Sequence, residues 1–132
     1  MITLADIRDW LKAYSNAEHF YIGKLDGKQD RSLGVYSLKR TGAPVTAIGT
    51  ESTYDIIGVS LLIHWNNNAN ETEIEARRLY EILRTIKNET INNTAVYMIE
   101  LLAPEPVDVG TDEHSGVYER VIELKIYYER KI

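Results

Sequence analysis

The stretch from Tyr54 to Trp65 constrains the fold of this chain more than any other. Ile57, Val59, Leu61, Ile63 and Trp65 point to one side, and Tyr54, Ile56, Gly58, Ser60, Leu62 and His64 to the other. Both faces carry apolar residues, which suits a strand flanked and covered on both sides. The reading is a central strand rather than an edge.

The neighbouring segments supply what such a strand needs. Thr3, with Asp6 three residues on, forms a weak capping box, and Leu4, Ile7, Leu11 and Tyr14 then recur at helical spacing with Trp10 widening the stripe. This helix is expected to end near Ser15-Asn16. Phe20 to Leu25 and Leu33 to Lys39 read as two strands of a hairpin, turned at Asp26-Gly27 with the polar tip Lys28-Gln29-Asp30-Arg31. Thr41-Gly42-Ala43-Pro44 breaks the chain, and Val45 to Ile48 reads as a brief strand. Asn70 and Glu73 form an N-cap pair for a helix over 71–87, whose seam is Ala76, Leu79, Tyr80, Leu83 and Ile86. Val96 to Leu102 and Val117 to Arg130 read as the last two strands, separated by Ala103-Pro104-Glu105-Pro106 and a loop ending at Gly116.

The expectation is one soluble α+β domain over 1–132, in the order α-β-β-(β)-β-α-β-β. It has a mainly antiparallel sheet of four to five strands with two helices packed on it. A regular last strand would reach about 45 Å, against a globule about 36 Å across for a chain of this length. The long strands therefore either bend, with Gly58 the natural place, or project and leave unpaired edges that seek a partner.

Composition narrows the function. The 132 residues contain no cysteine, which removes disulfides, thiolate metal sites and cysteine catalysis, and suits a reducing compartment. Net charge is −5, distributed as +2 over residues 1–40 (seven Lys/Arg, five Asp/Glu) and −7 over 41–132 (eight against fifteen). Such a surface disfavours dedicated nucleic-acid binding while permitting a duplex to slide past. No signal peptide and no apolar run long enough for a bilayer are read, so no membrane partner is expected and the three Asn-x-Thr sequons are ordinary loop sequence.

No catalytic, cofactor-binding or metal site is assigned. His19, His64 and His114 lack a second histidine at i+4, and His64 reads as a packed strand residue. The Gly-x-Ser-x-Gly elbow is absent. Gly23 with Gly27-Lys28 fails as a phosphate loop, because Ile22 holds the first position and Gln29 the last. The stretch 103–116 holds Glu105, Asp108, Asp112, Glu113 and His114 without Lys or Arg. Oxygen ligands of this kind suit hard cations, but the spacing is not an EF-hand. A solvated acidic loop is the simpler reading, and a loop that orders against a neighbouring subunit is the functional one. Asp108, Asp112, Glu113 and His114, together with Lys28, Gln29 and Arg31 of the other tip, are accordingly the candidate subunit and partner interface. Nine tyrosines suit half-buried strands, with some available for contacts between chains.

Three runs carry a resemblance. Ile57 to Trp65, Asn68 to Ala76, and Pro106 to Glu113 leading to Gly116-Val117-Tyr118-Glu119 are similar to the phage minor capsid protein family, whose members resemble tail-terminator or tail-completion proteins of long-tailed phages. The resemblance implies a structural, non-enzymatic protein of the virion tail or neck, made in the host cytoplasm. It would form a homo-oligomeric ring, typically of six subunits, between tail-tube protein and head-connector protein. Double-stranded DNA would pass through the lumen without specific binding, which the acidic balance favours. The alternatives are another head–tail connector or head-completion protein and, from a different class, a small metabolic enzyme using His64 or His114 beside a carboxylate.

Overall fold

The computed structural model describes residues 1–38 and 54–130. In chain order these form α1 (Leu4–Leu11), β1 (His19–Ile22), β2 (Ser32–Ser37), β3 (Tyr54–His64), α2 (Ala69–Thr85), β4 (Lys87–Ile91), β5 (Thr94–Leu101), β6 (Val107–Thr111) and β7 (Tyr118–Glu129). All seven strands belong to one sheet, ordered β1-β2-β3-β7-β5-β4, with β6 also paired to β7.

This corrects the expected fold. Among the described residues the sheet has seven strands rather than four to five, and β1 and β2 run parallel instead of forming a hairpin. Gly23, at φ +71°, turns the chain before Asp26-Gly27 is reached, and its N–H donates to the carbonyl of Val35. The return segment then crosses the sheet face, so that Ser32 starts beside His19. Two strands are additional. β4 pairs with β5 through the two-residue turn Asn92-Asn93, both at positive φ, a conformation asparagine adopts more readily than most residues. β6 lies within the expected 103–116 loop and continues the line of β5 along the same edge of β7, with Ala103 to Pro106 between them. The expected strand Val45 to Ile48 falls outside the described residues.

The helix limits also shift. α1 stops at Leu11, with Thr3 and Asp6 exchanging both capping hydrogen bonds. The N-cap of α2 is Asn68 rather than Asn70: its side chain accepts from the N–H of Glu71, while Asn66 holds the N–H of Asn68. The long strands β3 and β7 pair without interruption from Tyr54–Glu129 to His64–Glu119, so Gly58 marks no break in register. Its missing side chain instead admits Leu38, whose Cβ would stand 3.1 Å from an added methyl.

Both helices pack on one sheet face. α2 lies against β3, β5 and β7, while α1 touches β1 and β2 near one edge and β4 at the other. A single helix in contact with both margins means that the sheet curls around it. The core between them contains Ile7, Leu11, Leu33, Val35, Val59, Leu61, Ile63, Leu79, Leu83, Ile122, Leu124 and Ile126. Glu75 is buried beside this core, receiving hydrogen bonds from Asn16 and Arg78, and Arg78 also donates to the carbonyl of Tyr14.

Candidate functional site

The face opposite the helices divides into two ends. At one end two loops cross it. At the other, no described element does.

The covered end centres on His64, the last residue of β3, which is wholly buried. Register places Ser32 and Glu119 on either side of it. His64 Nδ1 lies 2.8 Å from Oε2 of Glu119, and Nε2 lies 3.1 Å from the carbonyl oxygen of Gly27. The segment 23–31 therefore rests on this end of the sheet, with Leu25 against Gly34. Any side chain at Gly34 would meet Tyr36 at 2.7 Å and Leu25 at 3.3 Å, so a residue without Cβ lets the loop approach. Burial pushes the Tyr36 hydroxyl above its ordinary pKa, while a backbone hydrogen bond with Leu25 works the other way.

The second covering element is the β6–β7 turn. Asp112 donates its N–H to Val117 and accepts, through its carbonyl, from Gly116 at φ +71°. Its carboxylate accepts from the N–H of His114, and this bond is the main reason that its pKa is lowered. Ser115 and the nearby His64 and His114 act in the same direction, against desolvation. An added Cβ at Gly27 would lie 3.2 Å from Oδ2 of Asp112. Metal-ligating atoms of His64, Asp112 and Glu119 all fall within 4.8 Å of one another. Above them, Tyr21, Lys24, Asp26, Lys28, His114 and Ser115 help to line an open cleft of about 650 Å³.

The structure brings together only part of the expected interface set. Lys28, Asp112 and His114 share that cleft. Gln29 and Glu113 are exposed nearby in sequence, but neither lines it. Arg31 turns away at φ +53°: its guanidinium sits 5.9 Å from the Trp65 ring centre and 3.7 Å from Glu18. Asp108 lies on the helix side, 3.5 Å from Arg120, which also reaches Glu73 of α2. The pairing of His64 with Glu119 escaped sequence reading because it depends on the β3–β7 register, which neither strand's alternation specifies alone.

At the Tyr54 end, where no described element lies over the face, the same strands carry apolar side chains. Ile56, Tyr127 and Met98 stand in one row across β3, β7 and β5. Tyr54 lies beside them, its ring 6.0 Å from that of Tyr127. Ile56 is 40% exposed, Tyr54 45% and Met98 46%. A register shift between Val96 and Met98 leaves Tyr97 half-exposed as well. Lys87 of β4 pairs with Met98 and ends the row at the outer strand. Tyr127 donates its hydroxyl to Glu100. Its pKa is raised, first by burial and then by the charge of Glu100.

No helix among the described residues is long and apolar enough to cross a membrane. No protein-family model matches the chain, and no curated protein matches it.

Proposed function

We propose that this protein is a structural assembly subunit of the phage tail-terminator type, acting by contact between copies of itself rather than by catalysis. The observation that carries the reading is the row Ile56–Tyr127–Met98, an apolar row on a sheet face over which no described element lies. Large exposed apolar neighbours of this kind mark protein contacts more often than plain solvent-facing surface. Among the described residues β1 and β4 border the sheet, where edge strands can take strand addition. In a ring each subunit contributes two different surfaces, and an apolar face meeting a neighbour's outer strand is one such head-to-tail arrangement.

The resemblance of three segments to minor capsid proteins supports the assignment. Residues 57–65 and 106–119, two of those segments, fold beside one another around the His64–Glu119 contact. The net charge of −5 suits a channel through which DNA slides. Tail-tube protein and head-connector protein are the partners proposed for the two sides of the ring. His64 supports a non-catalytic role: both ring nitrogens face internal acceptors, and the ring itself does not line the cleft.

Negative-stain microscopy of the protein mixed with tail tubes tests this. The expected result is a ring at one end of each tube and tubes of limited length. Tubes that never acquire the ring, or that lengthen unchecked in its presence, refute the assignment. Retention on portal-side protein instead of tail tube would move the subunit to the head-completion position.

A further inference from the structure

We propose that His64, Asp112 and Glu119 form a binding site for a divalent transition cation of the zinc type, seated beneath the cleft floor and tying the β6–β7 turn to the sheet. Their ligand atoms lie within 4.8 Å of one another, and they come from two strands and one turn rather than from a single acidic run.

The orientation of the imidazole carries the inference. Nε2 lies 3.1 Å from the carbonyl oxygen of Gly27, an acceptor with nothing to donate, so Nε2 bears a proton. In the neutral ring that leaves the lone pair on Nδ1, which faces the Glu119 carboxylate at 2.8 Å. Two electron-rich atoms at that distance, one of them on a wholly buried ring, are bridged by a cation, either a proton on Nδ1 or a metal ion. A proton on Nδ1 gives imidazolium, which hydrogen-bonds Glu119 and reaches Asp112 only through its charge. It leaves the second carboxylate, Asp112, held against Gly27 with only N–H and hydroxyl donors from its own turn. A divalent ion meets all three groups and balances both carboxylate charges.

The Gly27 contact is also the arrangement that metal-bound histidines use, in which the distal N–H donates to a backbone carbonyl and fixes the metal-facing nitrogen. One imidazole nitrogen with two carboxylates suits zinc and its first-row neighbours better than magnesium or calcium, which prefer oxygen donors alone. A small opening of the 2.8 Å contact accommodates metal–ligand bonds near 2 Å. Asp112 and Gly27 both border the cleft, which gives the ion a path in and leaves room for water on the open side. Lys24 and Lys28 line the same cleft, and among the described residues neither forms an ion pair with Asp112 or Glu119. The inference stands independently of the ring assignment.

The test is calorimetric titration of zinc chloride into chelator-stripped full-length protein, read beside histidine ¹⁵N spectra. One ion per chain is expected, with affinity reduced about 10-fold or more in Asp112→Asn and in Glu119→Gln. His19→Ala, a control outside the cluster, should change it less than about 2-fold. Magnesium in place of zinc should bind at least about 10-fold more weakly. In the spectra Nε2 of His64 keeps its proton and Nδ1 does not. Zinc binding that ignores both carboxylate variants overturns the proposal. So does a perturbation confined to His19 and His114, or a doubly protonated His64 at saturating zinc, which would identify the cluster as an imidazolium ion pair. Both variants alter partly exposed side chains, and thermal melts of the metal-free proteins establish that each is folded.

Discussion

The two ends of the helix-free sheet face share the strands β3 and β7 and one unbroken register, yet they differ in what lies over them. Near His64, segment 23–31 and the 111–118 turn cover small and polar residues, Ser32, Gly34, His64 and Glu119. Near Tyr54 the face turns large and apolar and carries no described cover. Among the described residues, side-chain size along the shared strands goes with loop cover. Small residues at one end let backbone approach closely. Large apolar ones at the other have no described element over them.

Substitution at the covered end should have the largest effect on the single chain. His64→Ala removes a buried ring and leaves the Glu119 carboxylate and the Gly27 carbonyl without their shared partner. A loss of about 3 kcal/mol is expected from urea denaturation of metal-free protein. A loss below about 1 kcal/mol would mean that the loops hold their places without it.

At the Tyr54 end, Ile56→Ser and Met98→Ser should each change monomer stability by no more than about 0.5 kcal/mol, because both side chains are already substantially exposed. The same variants should abolish ring formation on tail tubes. Normal rings with an undiminished binding constant would remove the row from the interface.

The smallest effect concerns Tyr127. Its folded-state pKa is raised, so the protonated hydroxyl is favoured in the native state. The associated stability is present below the ordinary value of 10.0 and is lost as pH rises through the folded midpoint. Ultraviolet difference titration should show that Tyr127→Phe removes one tyrosine from those ionising above pH 10, and Glu100→Gln should lower that tyrosine's midpoint. A midpoint that does not respond would leave burial alone as the cause.

Much of the scaffold was legible in the sequence. The seam of α2 from Ala76 to Leu83 is buried, and the alternation of Val59, Leu61 and Ile63 places those residues in the core. Such patterns are local consequences of helical and strand periods. The additional strands were harder to read. Lys87 to Ile91 is too polar to signal a strand by composition, although Asn92-Asn93 flanked by Ile91 and Thr94 was an available turn signal. The parallel β1–β2 pair was read as a hairpin because Asp26-Gly27 resembles a tight turn, whereas Gly23 reverses the chain earlier. Of the site, the sequence marked Lys28, Asp112 and His114 without indicating that they share a cleft. Glu119 was not marked at all, since a glutamate in an alternating strand gives no sign of the histidine opposite it. Glu75 gives no sign in the sequence that it is buried between α2 and the Tyr14–Asn16 segment, since a glutamate early in a helix ordinarily faces solvent.

Because the chain lacks cysteine, a single introduced thiol reports on one position without background. The most direct measurement is maleimide labelling of Met98→Cys and Ile74→Cys, comparing free subunits with tube-bound particles. Ile74 is 58% exposed on α2, away from the proposed contact, and serves as the reference. The account predicts that position 98 becomes at least about 10-fold less reactive on assembly, while position 74 stays within about 2-fold of its free value. Equal reactivity at the two positions in assembled particles would contradict it.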